Sequence, residues 1–235
     1  MIGRVISAFQ TSFWSSPLNL TRRAVSAALS LTGLAAVVGL SPWRLFGEAG
    51  AQTVEEISKP SMLGDMALGS KDATVTIVEY ASMTCPHCAA FTKDVFPKIK
   101  TDYIDTGKVR FIFREFPLDK IALAASAAAR CIAKDDAPKY FALIDIMFKQ
   151  QIELANDPLT TINRIGKQAG FSEAQIKACV DDDPSTKQKI IDDLKYASEK
   201  LKVNSTPFFF VNATPVKGET SFESFEKVIK PLLKS

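Results

Sequence analysis

Histidine is nearly absent from this chain: His87 is the only one among 235 residues. That removes whole classes of chemistry, because a Ser–His or Cys–His hydrolase away from residue 87 has no base, and a His-rich catalytic metal site has no ligands. Charge of one sign is also missing from most of the chain. Arg4, Arg22, Arg23 and Arg44 stand against Glu48 alone in residues 1–51, which accounts for the whole formal charge of +3 and leaves the remainder neutral. A neutral body has no basic excess to cover phosphates, so no nucleic acid partner is expected. No repeat or biased tract is visible, which excludes a solenoid and a disordered chain. A hydrophobic content of 46% over this length suits one packed domain with a targeting segment.

The targeting segment is residues 1–51. The uncharged 17-residue stretch AVSAALSLTGLAAVVGL (24–40) directly follows Arg22 and Arg23, a basic n-region before an apolar h-region. Ala49-Gly50-Ala51 supplies small residues for a cut after Ala51. The stretch falls short of the ~20 apolar residues of a membrane span, so the expectation is a cleaved signal peptide, with an N-terminal membrane anchor as the alternative. Either exports the domain, and the expected location is the periplasm. Thr21-Arg22-Arg23 also resembles the start of a twin-arginine signal, but Ala24, Val25 and Ser26 fit that pattern poorly.

Residues 52–235 read as one domain of the α/β class. After a polar lead-in with a short edge strand at Met66–Leu68, ATVTIVEY (73–80) is β-branched and almost continuously apolar, as a strand covered on both faces should be. Phe91, Val95, Phe96, Ile99 and Tyr103 recur at helical spacing and predict one helix from the Cys85–Cys88 region to about Asp105. Gly107 ends it, and VRFIF (109–113) reads as a second buried strand. From about 118 to 201 only helical patterns occur: an Ala-rich segment through Cys131, an amphipathic one through Phe141, Ile144, Phe148 and Ile152, and others, roughly four helices in all. Gly170 as a C-cap, Ser172 with Gln175 as a capping box and Asp183-Pro184 as an N-terminus set the cuts. PFFFV (207–211), a turn at Asn212-Ala213 and Thr214–Lys217 predict a hairpin, followed by a final helix capped by Ser221. The order is βαβ, helical insertion, ββα.

Chemistry is concentrated at Cys85-Pro86-His87-Cys88. A C-x-x-C pair opening a helix inside a βαβ pattern is a thioredoxin-like redox motif. Two cysteines three apart at a helix start bring their sulfurs within bonding distance, and the unpaired N–H groups there favour a thiolate on the first. Pro86 suits the first helical turn. An imidazole at His87 also favours the thiolate. Haem attachment requires C-x-x-C-H, whereas Ala89 follows Cys88. A zinc knuckle is the competing reading of the pair, but Cys131 and Cys179 are single and far apart rather than a second knuckle.

On these residues the chain resembles the DsbA-like thioredoxin family over nearly all of 66–235. Pro86-His87 within the pair is similar to that family's oxidase centre, Glu79 stands six residues before Cys85 as its buried acidic residue does, and Thr206-Pro207 matches its cis-proline. The helical insertion is a further point of likeness. The resemblance implies a thioredoxin fold with an all-helical inserted subdomain. It also implies that Cys85 and Cys88 are catalytic, that Pro86, His87 and Glu79 tune them, and that Thr206 and Pro207 bind substrate. No metal and no cofactor beyond the redox-active Cys85–Cys88 disulfide is implied. Some relatives carry a second disulfide in the helical part, so Cys131 and Cys179 are a candidate structural pair, with two free buried thiols as the alternative. The expected activity is donation of a disulfide to folding exported proteins with free thiols, by a monomer reoxidised by a DsbB-like quinone-linked membrane oxidase. A disulfide isomerase or reductase on the same scaffold, and a redox-inactive peptide-binding folding factor, are the alternatives.

Overall fold

The structure, a computed structural model, describes residues 53–216 and 220–233, and of Asp181 and Asp182 the backbone only. The expected targeting segment and Lys217 lie outside the described residues.

The run of β-branched residues after Ala73 forms β2 (Val75–Ala81). It pairs in parallel with β3 (Val109–Glu115), with Ile77 opposite Phe111 and Glu79 opposite Phe113. Strand β1 (Met66–Leu68) flanks β3 and β4 (Phe208–Val211) flanks β2, both antiparallel, and β5 (Thr214–Val216) closes a hairpin on β4. The sheet order is β1-β3-β2-β4-β5. Strand alternation sends Ile77 and Ala81 to one core, with Phe111, Phe113 and Phe209. It sends Val78 and Tyr80 to a second core beneath the sheet, with Ile112 and Phe210. Both faces are covered, which is why the strands read as unbroken apolar runs. Glu79 falls on the first face, among the aromatics. The N-terminal helix α1 (Val54–Ser58) sends Ile57 into the second core.

One helix was expected from the cysteine pair to about Asp105. The structure instead gives α2 (Pro86–Asp94), a break at Val95, α3 (Phe96–Ile99) and a wide turn in which Asp105 N–H reaches back five residues to Lys100 O at 2.8 Å. Pro97 is the cause: it has no N–H for the carbonyl of Lys93, and its ring collides with that carbonyl in a straight helix.

The insertion holds six α-helices among the described residues rather than about four: α4 (Lys120–Ala133), α5 (Ala137–Lys149), α6 (Gln151–Asn156), α7 (Pro158–Gln168), α8 (Glu173–Lys177) and α9 (Pro184–Glu199). Asp157 and Asp183 cap helices that each open on a proline. Gly170, at φ +88°, closes α7 by sending its own N–H to Lys167 O and that of Phe171 to Gly166 O, the paired bonds of a Schellman motif. The expected amphipathic segment through Ile152 is cut at Gln150, whose φ −110° and ψ 30° end α5. Ile152 leaves the apolar stripe and is 76% exposed. The lead-in also holds more than an edge strand, since Thr53 and Glu56 form a capping box on α1.

Two buried arginines tie the pieces together. Arg114 grips Asp65 in a two-pronged ion pair (3.0 and 3.1 Å) and donates to the carbonyls of Ile57 and Lys59, fastening the lead-in to the sheet. Arg130 on α4 forks onto Glu115 at the end of β3, and the hydroxyl of Tyr140 on α5 donates to the same carboxylate at 2.6 Å. Next along α4, Cys131 is joined to Cys179, just beyond α8, as a disulfide with Cα atoms 5.6 Å apart. The final helix α10 (Phe222–Leu232), capped by Ser221, packs Phe225 on Phe209 with ring centroids 4.9 Å apart.

Candidate active site

Cys85 occupies the N-cap of α2, with Pro86 at the first helical position. The turn leading in from β2 is short and braced: Cys85 N–H donates to Ser82 O at 3.1 Å, and Ala89 N–H returns to Cys85 O at 3.2 Å. Both thiols are free and buried, Cys85 at 4% exposure and Cys88 at 0%. Pro86 and His87 are exposed beside them.

Opposite the pair, the Thr206–Pro207 peptide is cis. The Cys85 thiol donates to Thr206 O at 3.2 Å, so the loop before β4 touches the sulfur directly. In this thiol form the Thr206 hydroxyl is buried without a partner, leaving it ready to serve the ionised sulfur.

The two cysteines differ sharply in acidity. Cys85 is brought down to about 5, first by the hydrogen bond from the Cys88 thiol, then by Thr206 and by the N–H groups of Cys88 and His87, which together outweigh burial. Cys88 is pushed up, first by burial, then because its proton serves Cys85, and then by the charges of Glu79 and Cys85. The pair thus shares one proton, which stays on the inner sulfur at neutral pH.

Glu79 lies within the sheet at 2% exposure, with Oε1 buried and without a partner. Burial first, and the Cys85 charge second, raise it well above the usual carboxylate range. It lines a cleft of about 210 Å³ together with Phe96, Phe111, Phe113, Phe141, Lys100 and Asp145.

The structure therefore brings Cys85, Pro86, His87, Cys88, Glu79, Thr206 and Pro207 into one region and leaves Cys131 and Cys179 in the insertion. It also adds residues that no motif announced. The Thr84 hydroxyl donates to Asp119 Oδ2 at 2.6 Å, while Oδ1 of the same carboxylate caps α4. Gln151, on α6, reaches the carbonyls of Met83 and Cys85. A lone polar residue in a helical pattern carries no signal of such a reach.

A family model described as thioredoxin matches residues 61–231, and the crystal structure of Wolbachia pipientis alpha-DsbA1 superposes with a TM-score of 0.70 at 31% identity, covering 76% of this chain and 96% of that one. The chain belongs to the DsbA-like thioredoxin family. Disulfide bond formation protein D of Bacillus subtilis, similar at 29% identity over 186 residues, spans 75% of this chain and 80% of its own length. A Rickettsia bellii protein provisionally named a protein-disulfide oxidoreductase is 39% identical over 150 residues. The match spans 57% of that relative and 63% of this chain. The family's thioredoxin fold, with its helical insertion between β3 and β4, is the fold described above.

Proposed function

We propose that this protein is an exported thiol–disulfide oxidoreductase that donates the Cys85–Cys88 disulfide to folding proteins in the periplasm. The observation that carries the reading is the unequal pair: an outer sulfur ionised at neutral pH beside a cis-proline loop, and an inner sulfur that keeps its proton. Stabilising one thiolate stabilises the reduced form, and a stable reduced form makes the disulfide a strong oxidant.

In the proposed reaction a substrate thiolate attacks Cys85 Sγ of the disulfide. The Cys85–Cys88 bond breaks, a substrate–Cys85 bond forms, and Cys88 leaves and takes up a proton, for which Glu79, its proton held more tightly by burial, is the nearby donor. A second substrate thiolate then attacks the substrate sulfur of the mixed disulfide and expels Cys85 as a thiolate. The substrate loses two electrons and the Cys85, Cys88 pair gains them. The Thr206 carbonyl, which accepts from the Cys85 thiol in the reduced pair, is released in the disulfide and holds the substrate strand next to Cys85. Reoxidation falls to a DsbB-like quinone-linked membrane partner, and residues 1–51 supply export, with a mature start at Gln52.

Replacing Cys85→Ser is expected to abolish oxidation of a reduced, unfolded substrate protein, followed by the loss of free thiols. Oxidation at the wild-type rate would overturn the assignment.

A further inference from the structure

Cys85 is held by contacts from three directions. The helix N–H groups and the cis-proline loop belong to the site already described. The third comes from the insertion: Gln151 Nε2 donates to Met83 O at 2.9 Å and to Cys85 O at 3.0 Å. Both hydrogens of one amide are thereby spent on the turn that delivers Cys85. The chain is shaped to make this reach. Helix α5 stops at Gln150, the backbone turns, and α6 restarts at Gln151 with Ile152 pushed out to 76% exposure. An uninterrupted amphipathic helix would have kept Ile152 on its apolar stripe.

From this geometry we infer that Gln151 is a positioning residue, through which the helical insertion fixes the Cys85–Pro86 peptide plane and hence the place of Cys85 Sγ at the mouth of α2. The inference rests on the redox reading above. Its physical basis is that Pro86 has no N–H, so the plane between Cys85 and Pro86 is anchored only through its carbonyl. That carbonyl already receives Ala89 N–H at 3.2 Å along the helix. Gln151 supplies a second donor from outside the helix and ties the same amide to Met83. Rotation of the plane would carry Cys85 Sγ away from the N–H groups of His87 and Cys88 and from Thr206. Contacts of that kind weaken steeply once the donor no longer points at its acceptor. Exchange also requires the attacking, central and leaving sulfurs to lie in line, so a tethered Cys85 favours attack by the substrate as well.

The test uses the full protein with Gln151→Met, which keeps length and apolar volume but removes both donors, and with Gln151→Glu, which turns the donor into an acceptor facing two carbonyls. The thiolate absorbance of the reduced protein is titrated against pH, and the equilibrium of the pair with glutathione is measured on the same samples. With both tethers gone the sulfur is expected to give up about one ordinary hydrogen bond's worth of stabilisation, which moves the Cys85 midpoint up by about half to one unit. The disulfide should become less oxidising by about three- to tenfold in its equilibrium constant with glutathione, with the larger effect in Gln151→Glu. Because Gln151 is only half buried, both variants are expected to fold, which circular dichroism checks. A lowered unfolding temperature with an unchanged midpoint and an unchanged equilibrium constant would reduce Gln151 to a structural contact and overturn the inference. Wild-type protein that reaches no equilibrium with glutathione would instead overturn the redox reading itself.

Discussion

The molecule contains two buried carboxyl groups, one tied to the helix that carries a bonded cysteine and one beside a free cysteine pair, and they are built on opposite principles. At the end of β3, Glu115 receives two bonds from Arg130 and one from Tyr140, and Cys131, which follows Arg130 on α4, is bonded to Cys179. In the middle of β2, Glu79 has an oxygen with no partner, and Cys85 and Cys88 are free thiols of very different acidity. Saturated groups have nothing left to exchange, so the first place holds the insertion on the sheet. Unsatisfied groups can still accept or release a proton, and the second place is equipped for the proposed exchange. Burial alone does not distinguish them, since Glu79 is 2% exposed and Glu115 is 5% exposed.

The strongest way to break this comparison is to unpair the paired carboxylate. Arg130→Met leaves Glu115 buried without its cation, and denaturant unfolding is expected to show a loss of about 3–5 kcal/mol. A loss below about 1 kcal/mol would mean that the pair is no clamp. Glu79→Gln should behave in the opposite way. The folded-state pKa of Glu79 is raised, so folding must hold a proton that the unfolded chain gives up above ~4.3. Stability is therefore lost as pH climbs above that value, and the amide, which has no proton to lose, removes the loss. The variant is expected to unfold at a higher temperature at pH 7 while its exchange reactions at Cys88 slow by roughly tenfold or more. A less stable variant with normal exchange would place Glu79 with Glu115.

A subtler effect concerns pH and oxidation state together. Cys85 is depressed to about 5 in the folded reduced protein, against ~8.5 for an unfolded cysteine. The stabilisation this brings is complete above the unfolded value and is lost as pH falls through the folded one. The reduced form is expected to gain on the oxidised form in thermal unfolding as pH rises from about 5 toward 9, and the advantage should vanish below 5. Parallel curves for the two oxidation states would contradict the ionised Cys85.

How far the sequence reveals these two places depends on how local their signals are. The C-x-x-C pair, the apolar strands and the caps at Ser172, Asp183 and Ser221 act within a few residues, and all are legible. Pro97 is an equally local signal, and it acts against the continuous helix that the apolar spacing of Phe91, Val95 and Ile99 predicts. The capping box of Thr53 and Glu56 was likewise present in the letters. Other features are set by tertiary contacts alone. Nothing near Gln151 announces that its amide reaches residues 83 and 85, and nothing near Arg130 announces Glu115 as its partner. The joining of Cys131 to Cys179 depends on how α4 meets the segment after α8. The placement of Glu79 and of the cis bond before Pro207 came from resemblance rather than from local pattern.

The central claim is that the fold makes Cys85 a stable thiolate and so makes the Cys85–Cys88 disulfide oxidising. Equilibrating the protein with graded ratios of reduced and oxidised glutathione, and reading the fraction of Cys85 and Cys88 oxidised, tests it directly. The expected potential lies well above the ~−270 mV of thioredoxin, as a disulfide donor requires; a value close to thioredoxin's would contradict the account and mark the protein as a reductase or isomerase.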